Sequence, residues 1–293
     1  MENDQKAPMV ENNYSEVITD RIVIPSKMNE NHYACTERDG SIVIRDLALE
    51  HTRWGDARTD IWNFADYPYE RNWNWMYSEM KGWTDSPIYK CDLEKGGCHL
   101  KTDDVVVDFG ANAGLFVRHA VDRGAKKVHA FEPSYDAFRC LMLNTDRDKV
   151  EVYKACVGAC NDFVDIIKTT GSGVMGSFSN LDHREVVHTE KVQCYTVDYL
   201  IESGLLPTHI DFLKVDVEGA EMDIFDGISD ENLSNIDRVA LEYHAHPNHP
   251  EGLRERGVKL LERLEKSFGK NYKYADHWTG NSEIILSTVN AWR

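Results

Sequence analysis

The chain has 293 residues, 42% of them hydrophobic, enough for one large domain or a domain with an appendage. A formal net charge of -17 makes a surface that repels phosphate backbones, so no nucleic-acid partner is expected. No run approaches the roughly 20 apolar residues of a membrane helix, and the polar, acidic start MENDQKAPMVENNYSE lacks the basic-then-apolar pattern of a secretory signal.

The seven cysteines, Cys35, Cys91, Cys98, Cys140, Cys156, Cys160 and Cys194, are scattered and odd in number. With no signal peptide, this predicts reduced thiols in a cytoplasmic protein. Cys91, Cys98 and His99 are spaced too widely for the usual short zinc knuckle.

Residues 1–30 are polar and read as a mobile tail, with a short strand candidate over 21–25 and another over 41–44. Residues 31–100 read as an aromatic-rich N-terminal cap. Trp54, Trp62, Trp73, Trp75 and Trp83 lie there, with Phe64, Tyr67, Tyr69 and Tyr77 between them. Such residues bury large areas, so packing is the simpler reading; a wall of an acceptor pocket is the sharper one.

From residue 101 to 293 the pattern changes. The continuous apolar run Val105 to Phe109 suits a strand covered on both faces. A helix is predicted over 113–123, a strand over 128–131, a helix from Ser134 to about Asn144, and a strand over 150–155. Strands over 163–168 and 191–197 flank a Gly- and Ser-rich loop, GSGVMGSFSNLDHRE. Alternation resumes with a strand over 210–215, a short helix over 219–227, a strand over 237–243 and a charged amphipathic helix over 250–267. Strands over 272–275 and 283–286 would close the fold. Strand–helix alternation of this kind implies an α/β, doubly wound, mostly parallel sheet with helices on both faces.

Three motifs sit at strand ends. In VVVDFGANAG, Gly110 permits a tight turn and Gly114 a close helix approach, while Asn112 tolerates the left-handed backbone the turn needs. The loop would present backbone N–H groups to a ligand at a helix N-terminus. A branched side chain at Gly110 is expected to block that ligand and leave the fold largely intact. Glu132 ends the next strand, 22 positions after Gly110, where an acid accepts hydrogen bonds from ribose hydroxyls. Gly-x-Gly-x-x-Gly is absent, and Asp108 before the turn would repel a pyrophosphate. It would suit the ammonium of S-adenosylmethionine, directly or through water. That cofactor is therefore favoured over NAD.

The second motif, IDFLKVDVEGAE, delivers Asp216 at the carboxyl end of a strand, the edge where open sheets bind ligands. Glu218 and Glu221 crowd the next helix start, and helix capping is the simpler reading of Glu221. The third, VALEYHAH, ends a strand at Glu242 and is followed by His244 and His246. If these strands are neighbours, Asp216 and Glu242 form a pair that could hold Mg or Mn, with His244 beside it, or supply a general base.

VDFGANAGLF, HAFEPSYDAF, DFLKVDVEGAEMDIFDG and VALEYH together resemble the FkbM family of methyltransferases, over about residues 104–245. The resemblance implies a Rossmann-like, seven-stranded methyltransferase domain over 101–293 and methylation of a hydroxyl on a sugar, glycan or small natural product. It implies a cofactor loop of Asp108, Gly110, Asn112 and Gly114, with Glu132 at the ribose and Cys156 and Val157 near adenine. It also implies that Asp216 and Glu218 face the reacting methyl. Asp216, Glu218 and His244 are thus the catalytic candidates, and Asp216 with Glu242 the metal candidates. A nitrogen or protein acceptor, or a nicotinamide oxidoreductase on a similar fold, are the alternatives.

Overall fold

A computed structural model describes residues 98–169, 174–175, 186–245, 253–269, 271–278 and 285–293, together with four N-terminal strands. Two compact units are present, residues 1–65 and 66–293. In the first, β1 (Ile24–Lys27), β2 (His32–Thr36), β3 (Ile42–Asp46) and β4 (Trp62–Asn63) form an antiparallel sheet in that order. Strand β1 lies within the segment expected to be a tail, and its register, Ile24 opposite Thr36, ties it to β2. The tryptophans expected to form a cap or pocket wall lie outside the described residues, apart from Trp62 in β4.

The second unit is organised by a seven-stranded sheet. Its strands are β5 (Val105–Phe109), β6 (Lys127–Phe131), β7 (Val150–Tyr153), β12 (Phe212–Val215), β13 (Arg238–Ala245), β14 (Tyr272–Trp278) and β15 (Ile285–Trp292). Their order is β14-β15-β13-β12-β5-β6-β7. The five strands from β13 to β7 are mutually parallel, and β15 runs antiparallel to both its neighbours. Strand order reverses between β5 and β12, which opens a crevice at their carboxyl ends.

Side-chain alternation gives each central strand two buried faces. Val106, Val128, Phe212 and Ala240 pack on one face against Phe116 and Val117 of α1 (Leu115–Asp122) and Phe138 and Leu141 of α2 (Tyr135–Asn144). Val107, Leu213 and Leu241 pack on the other. There they meet α3 (Val197–Glu202), α4 (Glu221–Asp226), α5 (Asp230–Leu233) and α6 (Leu253–Phe268). The chain is thus doubly wound, with helices on both faces.

Between β7 and α3 the chain builds a second sheet, β10-β9-β11-β8, from β8 (Cys156–Val157), β9 (Phe163–Thr169), β10 (Val174–Met175) and β11 (Val186–Tyr195). Most of the Gly- and Ser-rich loop lies outside the described residues; Val174 and Met175 within it pair with β9. At the amino ends of the main sheet, Arg238 makes a bidentate contact to Asp104, at 2.7 and 2.9 Å, with both side chains buried. This pair clamps the entry to β5 against the entry to β13.

Candidate active site

Four strand ends converge at the crevice. At the first, β5 delivers Asp108 and turns at Gly110, whose φ is +82°. Gly110 N–H and Ala111 N–H both donate to Phe131 O, at 3.0 and 2.9 Å, so the turn is sewn to the end of β6. Asn112 adopts φ +51° and Gly114 φ +92° before α1 begins. A Cβ on Gly110 would lie 1.8 Å from Asp216 O, and one on Gly114 would lie 2.9 Å from Leu141 Cδ1. This bears against the expectation that a branched side chain at Gly110 would only block the ligand and leave the fold largely intact. The β5 turn and the β12 exit touch backbone to backbone, so a side chain at Gly110 must distort the site itself.

Glu132 ends β6 with its side chain turned back into this loop. Oε2 accepts from Asn112 N–H and Oε1 from Ser134 N–H, each at 2.8 Å. Burial pushes its carboxyl up to about 7, against the two backbone donors. Asp108 is fully buried and pushed up to about 6 by that burial. Its cation is supplied from within the protein: Lys214 Nζ stands 3.1 Å from Asp108 Oδ1, 3.5 Å from Asp216 Oδ2 and 2.9 Å from Gly110 O. Burial alone would strip the Lys214 charge, but Asp108 and Asp216 outweigh it and raise the pKa. Lys214 lies two residues before Asp216 in IDFLKVDVEGAE, and the sequence motif alone assigns it no role. The available signal was a lysine inside a buried strand, which demands a charged partner.

After β12 the backbone passes through two left-handed residues, Glu218 at φ +55° and Gly219 at φ +108°. A non-glycine residue in that region marks a turn held by its surroundings. The turn places Asp216 and Glu218 beside His244 from β13, because β12 and β13 are parallel neighbours. His244 Nε2 lies 3.4 Å from Glu218 Oε2 and 3.8 Å from Glu242 Oε1, while Nδ1 lies 2.9 Å from Glu221 Oε1. Burial would lower the His244 pKa; Glu218 and Glu221 outweigh it and hold it well above the ordinary imidazole value. Glu242 is held above the usual carboxylate range by burial and by Asp216.

Asp216, Glu218 and His244 each offer a ligand atom within 4.8 Å of the others. Glu242 stands at the same edge. Cys156 and Val157 are in β8, beyond β7: Cys156 is the register partner of Cys194 and Val157 packs into the core. His246 lies outside the described residues.

The crevice also carries unspent polar capacity. Asp108 Oδ2, Asn112 Oδ1 and Ser134 Oγ are buried without a hydrogen-bond partner among the described residues. Buried polar atoms of this kind call for a partner, and three around one loop suit a polar ligand. The fold is that of a Rossmann-like α/β protein, and these groups are gathered at its switch point.

Residues 108–274, more than half of the chain, match the methyltransferase FkbM domain, and the chain belongs to that family. Among curated proteins it is 30% identical over 172 residues to the hexuronic acid methyltransferase AglP of Haloferax volcanii, covering 58% of this chain and 66% of that one. It is 27% identical over 187 residues to the 31-O-demethyl-FK506 methyltransferase FkbM of Streptomyces tacrolimicus, covering 53% and 70%. The chain thus spans just under two thirds of the length of AglP. Among solved structures, M. jannaschii TYW2 in complex with AdoMet gives a TM-score of 0.36 at 15% identity, covering 93% of this chain and 92% of that one. No helix among the described residues is long and apolar enough to cross a membrane.

Proposed function

We propose that this chain is an S-adenosylmethionine-dependent O-methyltransferase acting on a hydroxyl of a sugar, a glycan or a small natural product. The observation that carries the reading is the backbone contact between the Gly110 turn and the exit of β12. It joins a nucleoside-type loop to an acidic strand edge in one crevice. Family membership supports the reaction class, and the relatives named for a hexuronic acid and for 31-O-demethyl-FK506 support a hydroxyl-bearing acceptor. The acidity of the chain supports a small acceptor over a nucleic acid. The odd number and scattered positions of the cysteines support a reducing cytoplasm.

In this reading Gly110, Asn112 and Gly114 shape the cofactor loop, Asp108 backs it through Lys214, and Glu132 accepts from the ribose. Cys156 and Val157 border the adenine. The bound cofactor supplies an electrophilic methyl. Asp216, Glu218 and His244 hold the acceptor at the strand ends, and a carboxylate there, or His244 once it has passed its own proton to a neighbouring carboxylate, takes the hydroxyl proton. Alignment of the acceptor alone contributes on the order of 7–11 kcal/mol.

A second reading places a divalent cation, magnesium or manganese, at this edge. The gathered donors of Asp216, Glu218 and His244 favour it, with Glu242 as a further oxygen. Chelation followed by manganese add-back separates the two: full turnover in chelator removes the cation.

The deciding experiment is calorimetric titration with S-adenosylmethionine and, in parallel, NAD. Binding of the first alone is the expected result, and binding of NAD alone would overturn the reading. A screen of glycosides and small hydroxylated molecules with methyl-labelled cofactor then finds the acceptor.

A further inference from the structure

Glu221 is the one acid of the DVEGAE motif that the reading above leaves without a task. It opens α4 and, from sequence, is explained by the helix dipole. The structure keeps it in the first turn of that helix, but the dipole does not account for its surroundings. Helix α4 has six residues, and Glu221 is completely buried. A dipole-answering acid needs neither burial nor a specific partner.

Its carboxylate is also a bridge. Oε1 accepts from Gly219 N–H at 2.9 Å and stands 2.9 Å from His244 Nδ1; Oε2 is 3.5 Å from the His244 backbone N–H. One carboxylate therefore ties the left-handed turn after β12 to the end of β13. An ionised carboxylate only accepts hydrogen bonds, so the nitrogen facing it must carry a proton. That assigns the Nδ1–H of His244 and leaves Nε2 turned to Glu218 and Glu242.

We propose that Glu221 is a positioning residue: its buried carboxylate holds the Nδ1–H of His244 and makes Nε2 the nitrogen that faces Glu218, Glu242 and the acceptor. The proposal deepens the methyl-transfer reading and rests on it for the acceptor alone. The charged groups around His244 are Glu221 on α4, Glu218 on the turn, Asp216 at the end of β12 and Glu242 on its own strand, with Lys214 behind them. Of these, Glu221 alone engages Nδ1. An imidazole held by a carboxylate on one nitrogen presents the other in a fixed direction, whether that nitrogen handles a proton or meets a cation.

The test is proton NMR of the full chain with ¹⁵N-labelled histidine, free and with S-adenosylmethionine. Wild type should show one far-downfield ring N–H, protected from exchange and absent in His244→Phe. In Glu221→Gln one neutral oxygen is shared between Gly219 and His244, so the resonance should move upfield or be lost to exchange. Glu221→Asp keeps an acceptor-only carboxylate and should restore a protected signal. Melting temperature is measured beside each spectrum. A protected signal unchanged in Glu221→Gln overturns the proposal, whatever the melting temperature does. So does a wild-type spectrum with no downfield signal belonging to His244. Failure of the methyltransferase reading is separately visible, as absence of S-adenosylmethionine binding while the ring signal is present.

Discussion

Lys214 and Asp108 are register partners across the β5–β12 ladder, and Lys214 Nζ reaches Asp108 Oδ1 at 3.1 Å inside the sheet. The pair lies where the strand order reverses, so it also fixes the spacing of the crevice. Removing one partner of such a pair leaves an uncompensated buried charge. Lys214→Met is expected to cost about 3–5 kcal/mol in chemical denaturation. Adding Asp108→Asn should recover much of that loss, because the amide needs no cation. A double variant as unstable as the sum of the singles would show that the two residues do not act as a pair.

Gly110 and Gly204 make a matched comparison. Both have positive φ, +82° and +75°, but a Cβ on Gly204 meets nothing within 4 Å. Gly204→Ala should therefore cost only the backbone strain, roughly 1–2 kcal/mol. Gly110→Ala adds a collision with Asp216 O, so it should lower the melting temperature further and displace Asp216. Equal destabilisation of the two variants would refute the close approach.

Glu132 predicts a pH dependence. Its folded pKa is raised from 4.5 to about 7, chiefly by burial. An acid raised in this direction opposes folding when it ionises. The opposition is absent below about pH 4.5, grows as pH rises, and is complete above about 7, where it amounts to about 3 kcal/mol. Glu132→Gln should flatten the stability profile across that window, read by denaturation at fixed pH values.

The same group predicts proton release on cofactor binding. Ribose hydroxyls donating to Glu132 favour its ionised form. Affinity for S-adenosylmethionine should rise with pH toward about 7 and level off above it. Calorimetry in buffers of different ionisation enthalpy measures the released proton directly. Glu132→Gln should abolish the release and weaken binding by roughly 1.5–3 kcal/mol.

At the acidic edge, Asp216→Asn and Glu242→Gln should each reduce turnover of the screened acceptor, by roughly 10²–10⁴-fold where proton transfer is lost. Cofactor affinity should change little by comparison. Wild-type turnover in both variants would remove the edge as the catalytic centre.

Most strands and helices of residues 104–268 were legible because their signals are local, but α3 and α5, six and four residues long, are too short to show a helical period. Val105 to Phe109 and Phe212 to Val215 are apolar runs bounded by turns, and α6 carries its amphipathic stripe in its own sequence. Strand ends in Asp108, Glu132 and Asp216 were legible for the same reason; Glu242 was expected to end its strand, but β13 runs on to Ala245 and keeps His244 within the ladder. The small sheet from β8 to β11 was read only in part, since β8 and β10 have two residues each and carry no period.

By itself the sequence determined the alternation of elements, the glycine turn, and the delivery of acids to strand ends. These depend on repeats of two or 3.6 residues and on the backbone freedom of single positions. Only the tertiary structure decided which groups meet. Lys214 finds Asp108, Glu221 reaches His244 from the start of its helix, Arg238 clamps Asp104, and Gly110 lies against Asp216 O. Such pairs join segments brought together by strand register and crossover. A local pattern shows that a buried charge needs a partner, but the partner's identity depends on how distant segments are packed.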